Sequence, residues 1–299
     1  MQLTIGIPFY NGEDTLADAI RSVFAQTYQD WELILMDDGS SDGSLDIAMA
    51  VKDERVRVIS DGRNKKLQVR LNQIVDEAKY ELIARLDADD MMAPTKLERQ
   101  LSFVDDPQAQ IVCTGACIID KDDQPTGRTH AMQFREYKPV DFFRSRTIVH
   151  PSLIARTQWF RENRYDPEAL RAEDAELWCR AYCEGRLKVE MIRHIYEPLL
   201  YYRALGSLNK KNYRASYRLW KELIKKYGLR TLGYWGFARE YARKTLRYNL
   251  VKASISLGCN DFVARNRFAL VEPDKMNGFM QQAQNEIQQI KATKVPGLD

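Results

Sequence analysis

The sequence lacks long apolar segments and glycine-rich phosphate loops. Its longest uncharged apolar stretch, Ile111–Ile119, has the length of a strand and falls far short of the ~18 residues that a membrane-spanning helix needs. The dinucleotide fingerprint Gly-x-Gly-x-x-Gly and the loop Gly-x-x-x-x-Gly-Lys-Ser/Thr are both absent. These absences exclude a spanning helix and the two binding modes in which backbone amides hold phosphate groups.

Cysteine is also scarce. The five cysteines include two pairs with a four-residue offset, Cys113/Cys117 and Cys179/Cys183. Zinc needs about four ligands, and neither pair has a second pair at a usual spacing, so we expect reduced, partly buried thiols in a cytosolic protein rather than a metal site. Residues 1–5 lack a basic start and run directly into a strand pattern, so we expect no signal peptide and a cytoplasmic location.

Net charge is low but unevenly distributed. The whole chain carries +3, which does not indicate a nucleic-acid-binding protein, and we predict no nucleic-acid partner. Residues 209–267, however, contain 15 Lys/Arg and 3 Asp/Glu, a net charge of +12, which leaves −9 for the rest. A segment this basic favours an anionic partner.

Apolar strand patterns alternate with helical patterns through the first ninety residues. The predicted strands cover residues 3–8, 31–36, 56–59 and 82–86, and helical spacing follows each of the first three. This alternation predicts a parallel sheet with helices on both faces and right-handed crossovers. Pro8 ends the first strand, and Asn11 is predicted to cap the helix that follows.

Polar and aromatic residues follow three of these strands. In open α/β sheets, ligands bind outside the carboxyl ends of the strands. We therefore expect one crevice lined by the residues after the first, second and fourth strands: Pro8, Phe9, Tyr10, Asp38, Asp87, Ala88 and Asp89.

The end of the fourth strand carries three acids within four residues: Asp87, Asp89 and Asp90. These carboxylates repel one another unless a cation lies between them, and Mg²⁺ or Mn²⁺ would share carboxylate oxygens with substrate phosphates. An isolated Asp-x-Asp also fits a solvated acidic turn. Nearby, the ring of Tyr10 could lie against a base, and Asp38 could accept hydrogen bonds from pyrimidine N–H groups.

Four motifs together carry a family resemblance: residues 5–11, 22–28, 31–42 and 84–90. In order and spacing they resemble the nucleotide-binding half of a family 2 glycosyltransferase with the GT-A fold. The resemblance implies an α/β fold with a mostly parallel, Rossmann-like sheet and helices on both faces. It also implies a nucleotide-sugar donor site.

In that site, the resemblance assigns base and ribose contacts to Pro8, Phe9, Tyr10 and Asp38. Asp89 would bind the Mn²⁺ or Mg²⁺ that bridges the diphosphate. Asp87 would lie beside the ribose or a metal-bound water, with Ala88 between the two acids at the donor.

Glu173-Asp174 precede an apolar helix that contains Leu177 and Trp178. Acids at a helix start are also favoured by the helix dipole, so a capping role stays open from the residues alone. The pair resembles the family's acceptor motif, which implies that Asp174 is the general base, supported by Glu173. His150 is open to two interpretations, a structural hydrogen-bonding group or a catalyst.

The chain departs from the family pattern at a few positions. Lys65-Lys66 and Lys79 replace common glycines, and the first pair could contact the donor or face solvent. After Arg203, Ala204-Leu205 replace a common histidine, so a histidine contribution to the metal or diphosphate is in doubt.

The predicted organisation has two parts. Residues 1–205 form the GT-A catalytic domain, with a nucleotide-binding half at 1–90 and an acceptor half at 91–205. Residues 206–299 form a basic, aromatic, helical C-terminal extension. Its aromatic residues could meet a membrane surface or pack on the core. We also expect a polar helix at 281–290 and disorder at 294–299.

The predicted function is inverting, metal-dependent transfer of a hexosyl or N-acetylhexosaminyl group in surface polysaccharide synthesis. The donor would be a nucleotide-diphosphate sugar, with UDP favoured, and the acceptor a glycan that could be lipid-linked. The protein would be cytoplasmic, and its basic segment would allow a peripheral position on the inner face of the cytoplasmic membrane. Two alternatives are a non-catalytic nucleotide-sugar-binding scaffold and a nucleotidyltransferase; the latter would need a glycine- and arginine-rich first loop, which residues 8–12 do not provide.

Overall fold

The structure, a computed structural model, describes residues 1–128, 137–144, 148–203, 210–256 and 277–299. The predicted domain boundary at 205/206, the dipeptide Ala204-Leu205 and Cys259 lie outside these residues.

The first half of the chain forms the predicted alternation. Its elements are β1 (Leu3–Phe9), α1 (Leu16–Phe24), β2 (Trp31–Asp37), α2 (Ser44–Ala50), β3 (Val56–Ile59), α3 (Leu67–Glu77) and β4 (Leu82–Arg85). Strand β1 pairs in parallel with β2 and β4, and β2 pairs in parallel with β3. Every residue of β1 and β2 is buried, because helices cover both faces of this part of the sheet.

The second half extends the same sheet with mixed strand directions. Its elements are β5 (Met91–Met92), α4 (Lys96–Leu101), β6 (Ile111–Ile119), β7 (Pro125–Arg128), α5 (Pro139–Arg144), β8 (Ile154–Arg156), α6 (Thr157–Glu162), α7 (Glu173–Cys183) and β9 (Ile192–Arg203). The strand order is β3-β2-β1-β4-β8-β6-β9-β5, with β7 paired to β6. Strand β8 is antiparallel to both β4 and β6, whereas β6 and β9 are parallel. The α/β fold is confirmed, and its purely parallel part is the nucleotide-binding half.

His150–Ser152 form a 3-10 turn and β8 starts at Ile154, since Pro151 has no N–H for a sheet ladder. The predicted cap of the first helix was wrong. Asn11 does not cap α1, which starts at Leu16. Instead its Oδ1 accepts a hydrogen bond from the Ser41 N–H at 2.8 Å and so ties the loops after β1 and β2 together.

The C-terminal helices pack on the catalytic part. They are α8 (Lys210–Leu223), a π-helical turn (Ile224–Gly228), α9 (Leu229–Ser256) and α10 (Asn277–Lys291). Trp220 and Ile224 are buried in one cluster with Phe143 of α5 and Cys179 of α7. Helix α10 extends beyond the predicted 281–290 and buries its apolar face against residues of β6 and β9.

The predicted disorder of residues 294–299 was also wrong. Val295 is only 1% exposed and belongs to the core beneath α1 and α2. The Lys52 N–H donates to the Pro296 carbonyl at 2.7 Å, and Asp299 forms an ion pair with Arg21 at 3.0 Å. A buried side chain and two polar contacts offset the conformational entropy that would otherwise leave a chain end disordered.

Within the part of the chain that the structure describes, none of the helices is both long and apolar enough to span a bilayer.

Candidate functional site

The loops after β1, β2 and β4 meet at one edge of the sheet, as predicted. Phe9 lies opposite Asp37 in the parallel register, and the Asp38 N–H donates to the Phe9 carbonyl at 2.8 Å. A Cβ built on Gly12 would lie 3.8 Å from the Cβ of Ala88. The sheet therefore brings the residues after β1, Asp38 and the Asp-x-Asp segment to one crevice.

The three residues predicted to contact the base are exposed to very different extents. Pro8 and Phe9 are buried, and the Phe9 ring belongs to the core. Tyr10 is 52% exposed. Among these three, the Tyr10 ring alone can offer a face to a base.

Asp38 is buried and holds the loop before α3. Its Oδ1 accepts hydrogen bonds from the N–H groups of Lys65 and Lys66 and from Arg70 Nε, at 2.7, 3.2 and 3.0 Å. Its Oδ2 also accepts the Lys66 N–H, at 3.1 Å, and Lys66 adopts a φ of 77°. A carboxylate has about four lone-pair sites, so Oδ2 retains the capacity for one further donor. The Lys65 Nζ is paired with Asp61 at 2.5 Å.

The three acids after β4 form a compact cluster. Asp87, Asp89 and Asp90 each place a carboxylate oxygen within 4.8 Å of the others. Although Asp89 is exposed on one side, the surrounding protein partly desolvates its carboxyl group, and this desolvation and the charge of Asp87 raise its pKa to about 6. Clustered carboxylates that raise one another's pKa are the electrostatic situation that a divalent cation relieves, and an oxygen-only donor set suits Mg²⁺ or Mn²⁺.

The three acids have different surroundings. Asp90 is buried, and its Oδ1 accepts the Arg203 N–H at 2.8 Å, which anchors it to the end of β9. Asp87 is half-buried and forms an ion pair with Arg85. Asp89 is exposed. The cluster therefore offers Asp89 as its freest ligand, with Asp87 beside it and Asp90 beneath.

Two buried arginines support this cluster, and sequence reasoning missed their roles. Desolvation raises the pKa values of Asp89, Glu173 and Asp174, and the Arg85 charge offsets part of that rise. Arg203 donates from Nε to the Asp89 carbonyl at 3.0 Å. The available signal was a lone arginine in the otherwise apolar segment of residues 82–86, and another at the end of β9.

Glu173 and Asp174 are the first two residues of α7. Both are half-buried, and Ala172 before them has a left-handed φ of 57°. Desolvation, followed by the charge of Asp174, raises the pKa of Glu173 to about 7. Desolvation is also the main cause that raises the pKa of Asp174, and the charge of Asp87 adds to it. The Asp87 charge thus acts on both carboxyl groups at the start of α7.

His150 has a structural partner. Its Nε2 lies 2.7 Å from the Tyr165 hydroxyl, and its ring is buried against Trp178. Burial, reinforced by the Arg85 charge, holds its pKa well below the usual histidine value. These contacts favour the structural interpretation of His150 over the catalytic one.

The cysteines are free thiols where the structure describes them. Cys113, Cys117 and Cys179 are buried, and Cys183 is half-buried and accepts a hydrogen bond from the Thr231 hydroxyl at 3.4 Å. Among the described residues, the aspartate cluster is the single group with the proximity that metal ligands need.

The arrangement can serve two chemical purposes at one edge of the sheet. The aspartate cluster can hold a divalent cation against an anionic leaving group. The α7 carboxylates, whose basicity is raised by desolvation, can accept a proton from a hydroxyl group.

Comparisons with known proteins bear on both the family and the fold. The family model described as "Glycosyl transferase family 2" matches residues 4–164. EpsE of Bacillus subtilis (strain 168), which its name places among glycosyltransferases, is 33% identical over 192 residues, covering 62% of this chain and 68% of EpsE. WfgD of Escherichia coli is 35% identical over 102 residues, covering 34% of this chain and 40% of WfgD. WfgD is named a UDP-Glc:alpha-D-GlcNAc-diphosphoundecaprenol beta-1,3-glucosyltransferase.

A solved structure extends the likeness to most of the chain. The mannosyltransferase PcManGT from Pyrobaculum calidifontis, in complex with GDP-Man and Mn²⁺, matches with a TM-score of 0.57. The match covers 96% of this chain and 86% of PcManGT at 14% identity. Likeness at this identity concerns the fold, which the two chains share.

Proposed function

Because this chain belongs to glycosyltransferase family 2 and has the GT-A fold, we propose that it is an inverting, metal-dependent transferase for surface polysaccharide synthesis. The sugar, a hexosyl or N-acetylhexosaminyl group, moves from a nucleotide-diphosphate sugar to a hydroxyl group of a glycan acceptor. The observation that carries this proposal is the aspartate cluster after β4. The Asp87 charge acts on both carboxyl groups at the start of α7, which supports a shared site.

On the donor side, Asp89 would ligate Mn²⁺ or Mg²⁺, and Asp87 would lie beside the ribose or a metal-bound water, with Ala88 between them. A divalent cation supplies Lewis-acid stabilisation of charge on the departing diphosphate. Exposure of the Asp89 side chain supports this assignment, and PcManGT was solved with Mn²⁺.

The base would lie against the exposed ring of Tyr10, with Pro8 and Phe9 offering their backbone because their side chains are buried. Asp38 would both hold the loop of Lys65 and Lys66 and present Oδ2 to a ring N–H. UDP is the favoured nucleotide, and the UDP-Glc donor in the name of WfgD supports it.

On the acceptor side, Asp174 would take the proton from the attacking hydroxyl group, and Glu173 would support it. The acceptor oxygen bonds to the anomeric carbon as the bond from that carbon to the diphosphate oxygen breaks. This direct displacement inverts the anomeric centre and needs no covalent enzyme intermediate. Positioned general bases contribute typically about 10²–10⁴-fold to rates.

The proposed organisation keeps residues 1–205 as the catalytic domain, with halves at 1–90 and 91–205, and 206–299 as the extension. We further propose a cytoplasmic protein, peripheral on the inner face of the membrane, whose acceptor is lipid-linked. The diphosphoundecaprenol acceptor in the name of WfgD supports that class of acceptor. The basic segment at 209–267 would meet the anionic lipid surface.

A screen of nucleotide sugars tests the function directly. The purified protein is tested with each donor, with and without Mn²⁺ or Mg²⁺, for thermal stabilisation and for donor hydrolysis. We expect one nucleotide class to stabilise the protein in a metal-dependent way and to be hydrolysed slowly. Stabilisation without any turnover, even with extracted lipid-linked glycan, would favour the non-catalytic scaffold.

A further inference from the structure

Helix α9 carries an apolar stripe on the side that faces away from the core. Its members recur at helical spacing, and we call them the outer stripe: Trp235, Ala242, Leu246, Leu250 and Ala253. Trp235 is 81% exposed, Leu246 62% and Leu250 61%. Residues three, four and seven positions apart share one face of a helix, so these exposed side chains lie on one face of α9.

The opposite face of α9 packs against the rest of the protein. Tyr248 stacks on Tyr217 with ring centroids 3.9 Å apart, and Phe237 and Tyr241 pack against the cluster around Trp220. The aromatic residues that the sequence pattern placed on a possible membrane face therefore pack inward. The outer stripe comprises other residues, and Trp235 is the single tryptophan among them.

Basic residues accompany the stripe without exposed acids. Helix α9 contains six Lys/Arg and one acid, Glu240. Glu240 is 1% exposed and is paired with Arg144 and Arg243. Arg239 and Arg247 are exposed and lie within one turn of stripe residues. Arg239 lies within the stripe, between Trp235 and Ala242, and Arg247 lies beside Leu246. The outer surface of α9 is therefore apolar with basic residues in and beside it.

The helical backbone of α9 is interrupted just before Trp235, the first residue of the outer stripe. Gly233 has a φ of 68° and a ψ of 174° within α9. Directly after it, Tyr234 is 67% exposed. Its ring meets the Trp235 ring edge-to-face, with the ring centroids 5.2 Å apart. Tyrosine and tryptophan favour the headgroup level of a bilayer, where an apolar ring body meets a polar environment.

We propose that the outer stripe is a lipid-binding surface on which α9 lies flat at an anionic membrane. Apolar residues including tryptophan on one face, with basic residues beside them, are the composition that places a helix in the interfacial plane. A second copy of this chain is a poorer occupant, because its stripe would bring arginines against arginines. The inference deepens the proposed function by assigning the membrane contact to particular residues, and it rests on that proposal.

Vesicle sedimentation tests the inference without donor or acceptor. Wild-type protein is mixed with vesicles of phosphatidylcholine alone or of phosphatidylcholine with phosphatidylglycerol. We expect binding to the anionic vesicles and much weaker binding to the neutral ones. The variant Trp235→Ser/Leu246→Ser/Leu250→Ser should lower the partition coefficient by about tenfold or more, because apolar burial drives insertion. The variant Arg239→Gln should lower it by about fivefold on anionic vesicles alone.

Matched controls separate lipid binding from loss of fold. Met49→Ser removes another exposed apolar side chain, 56% exposed on α2, and should bind vesicles as wild type does. All stripe residues in the triple variant are exposed, so its thermal midpoint and its stabilisation by UDP with Mn²⁺ should match those of wild type. Asp174→Asn should bind vesicles normally, so failure of catalysis and failure of lipid binding give different results.

Three results would overturn the inference. The first is unchanged vesicle binding by the triple variant. The second is equal binding of wild type to neutral and anionic vesicles. The third is a dimer in light scattering that the triple variant abolishes, since the stripe would then be an interface between copies of this chain.

Discussion

At the scale of single residues, the site depends on carboxylates that differ in what surrounds them. Asp90 is anchored to the backbone of Arg203, whereas Asp89 is exposed. Asp174 lies at the start of α7, where desolvation raises its pKa, the Asp87 charge adds to that rise and the Arg85 charge opposes it. The same functional group can therefore hold a metal, anchor a strand or accept a proton, according to its partners.

Asp174→Asn should abolish transfer while it leaves donor binding intact. The amide has nearly the same shape but cannot take a proton, so we expect turnover to fall by at least about 10²-fold. Turnover assays with calorimetry of nucleotide binding measure the two effects separately. The matched control is Asp76→Asn, at an exposed aspartate on α3, which should keep full turnover. Full turnover in Asp174→Asn would exclude Asp174 as the base.

Asp89→Ala should weaken nucleotide binding in a metal-dependent manner. Removal of the freest carboxylate of the cluster takes away a metal ligand, so the added affinity for nucleotide diphosphate that Mn²⁺ brings should disappear. Calorimetry with UDP, with and without Mn²⁺, measures this difference. Asp122→Asn, an exposed residue in the turn between β6 and β7, should behave as wild type. An Mn²⁺ effect that survives in Asp89→Ala would contradict the assignment.

His150 should make stability depend on pH. Burial lowers its pKa in the folded state, whereas the unfolded value is about 6.5. The unfolded state therefore binds the proton more readily, so this contribution is present above about pH 6.5 and is lost as the pH falls below it. Between about pH 7.5 and 5.5 the free energy of unfolding should fall by about 1 kcal/mol more in wild type than in His150→Gln. Urea unfolding at both pH values provides the test, and parallel losses in the two proteins would refute it.

At the scale of elements, the C-terminal segment after α10 stabilises the catalytic half. Val295 fills the core beneath α1 and α2, and Pro296 accepts a backbone hydrogen bond from Lys52. Gly297 has a φ of 90°, and a Cβ there would lie 1.9 Å from the Ala50 carbonyl oxygen. The chain end therefore packs into a closely fitted groove beside α2.

Deletion of residues 294–299 should destabilise the whole protein. Loss of the buried Val295 side chain alone removes about 1.5–3 kcal/mol of burial free energy. Gly297→Ala should reproduce part of the loss, because its backbone conformation and its close approach to Ala50 both require glycine. Lys294→Ala, at an exposed position, should leave the thermal midpoint unchanged. A deletion variant as stable as wild type would show that the segment is dispensable.

At the scale of the whole molecule, the helical extension shares a core with the catalytic part. Trp220 and Ile224 pack with Phe143 and Cys179. The buried Glu240 accepts hydrogen bonds from Arg144 of α5 at 2.8–3.3 Å. Shared burial of this kind couples the two parts, so the molecule should unfold as one unit.

Glu240→Gln should lower the stability of both parts together. The amide loses two charge-assisted contacts, and because Arg144 and Arg243 are 23% and 37% exposed, the cost should be moderate, about 1–2 kcal/mol. Circular dichroism and tryptophan fluorescence should give one coincident urea transition, shifted to lower urea. Glu222→Gln, an exposed residue on α8, should not shift it. Two separate transitions would show that the extension folds independently.

The pattern of apolar residues along the sequence was sufficient to predict the fold of the nucleotide-binding half. Alternating apolar periods predicted β1 to β4 and the helices between them, because a strand with both faces covered is a continuous apolar run. Parallel strands place their carboxyl ends at one edge, so the convergence of Tyr10, Asp38 and the Asp-x-Asp segment also followed.

Only the tertiary structure decided which side chains are buried and which are free to bind a ligand, because this depends on which face of each element is covered. Local patterns do not show that the Phe9 ring turns into the core, or that Asp38 is engaged by the loop before α3. They also do not show that Val295 is buried while Trp235 is left exposed. Such outcomes depend on contacts between residues far apart in the chain, and burial is a property of those contacts rather than of the local sequence.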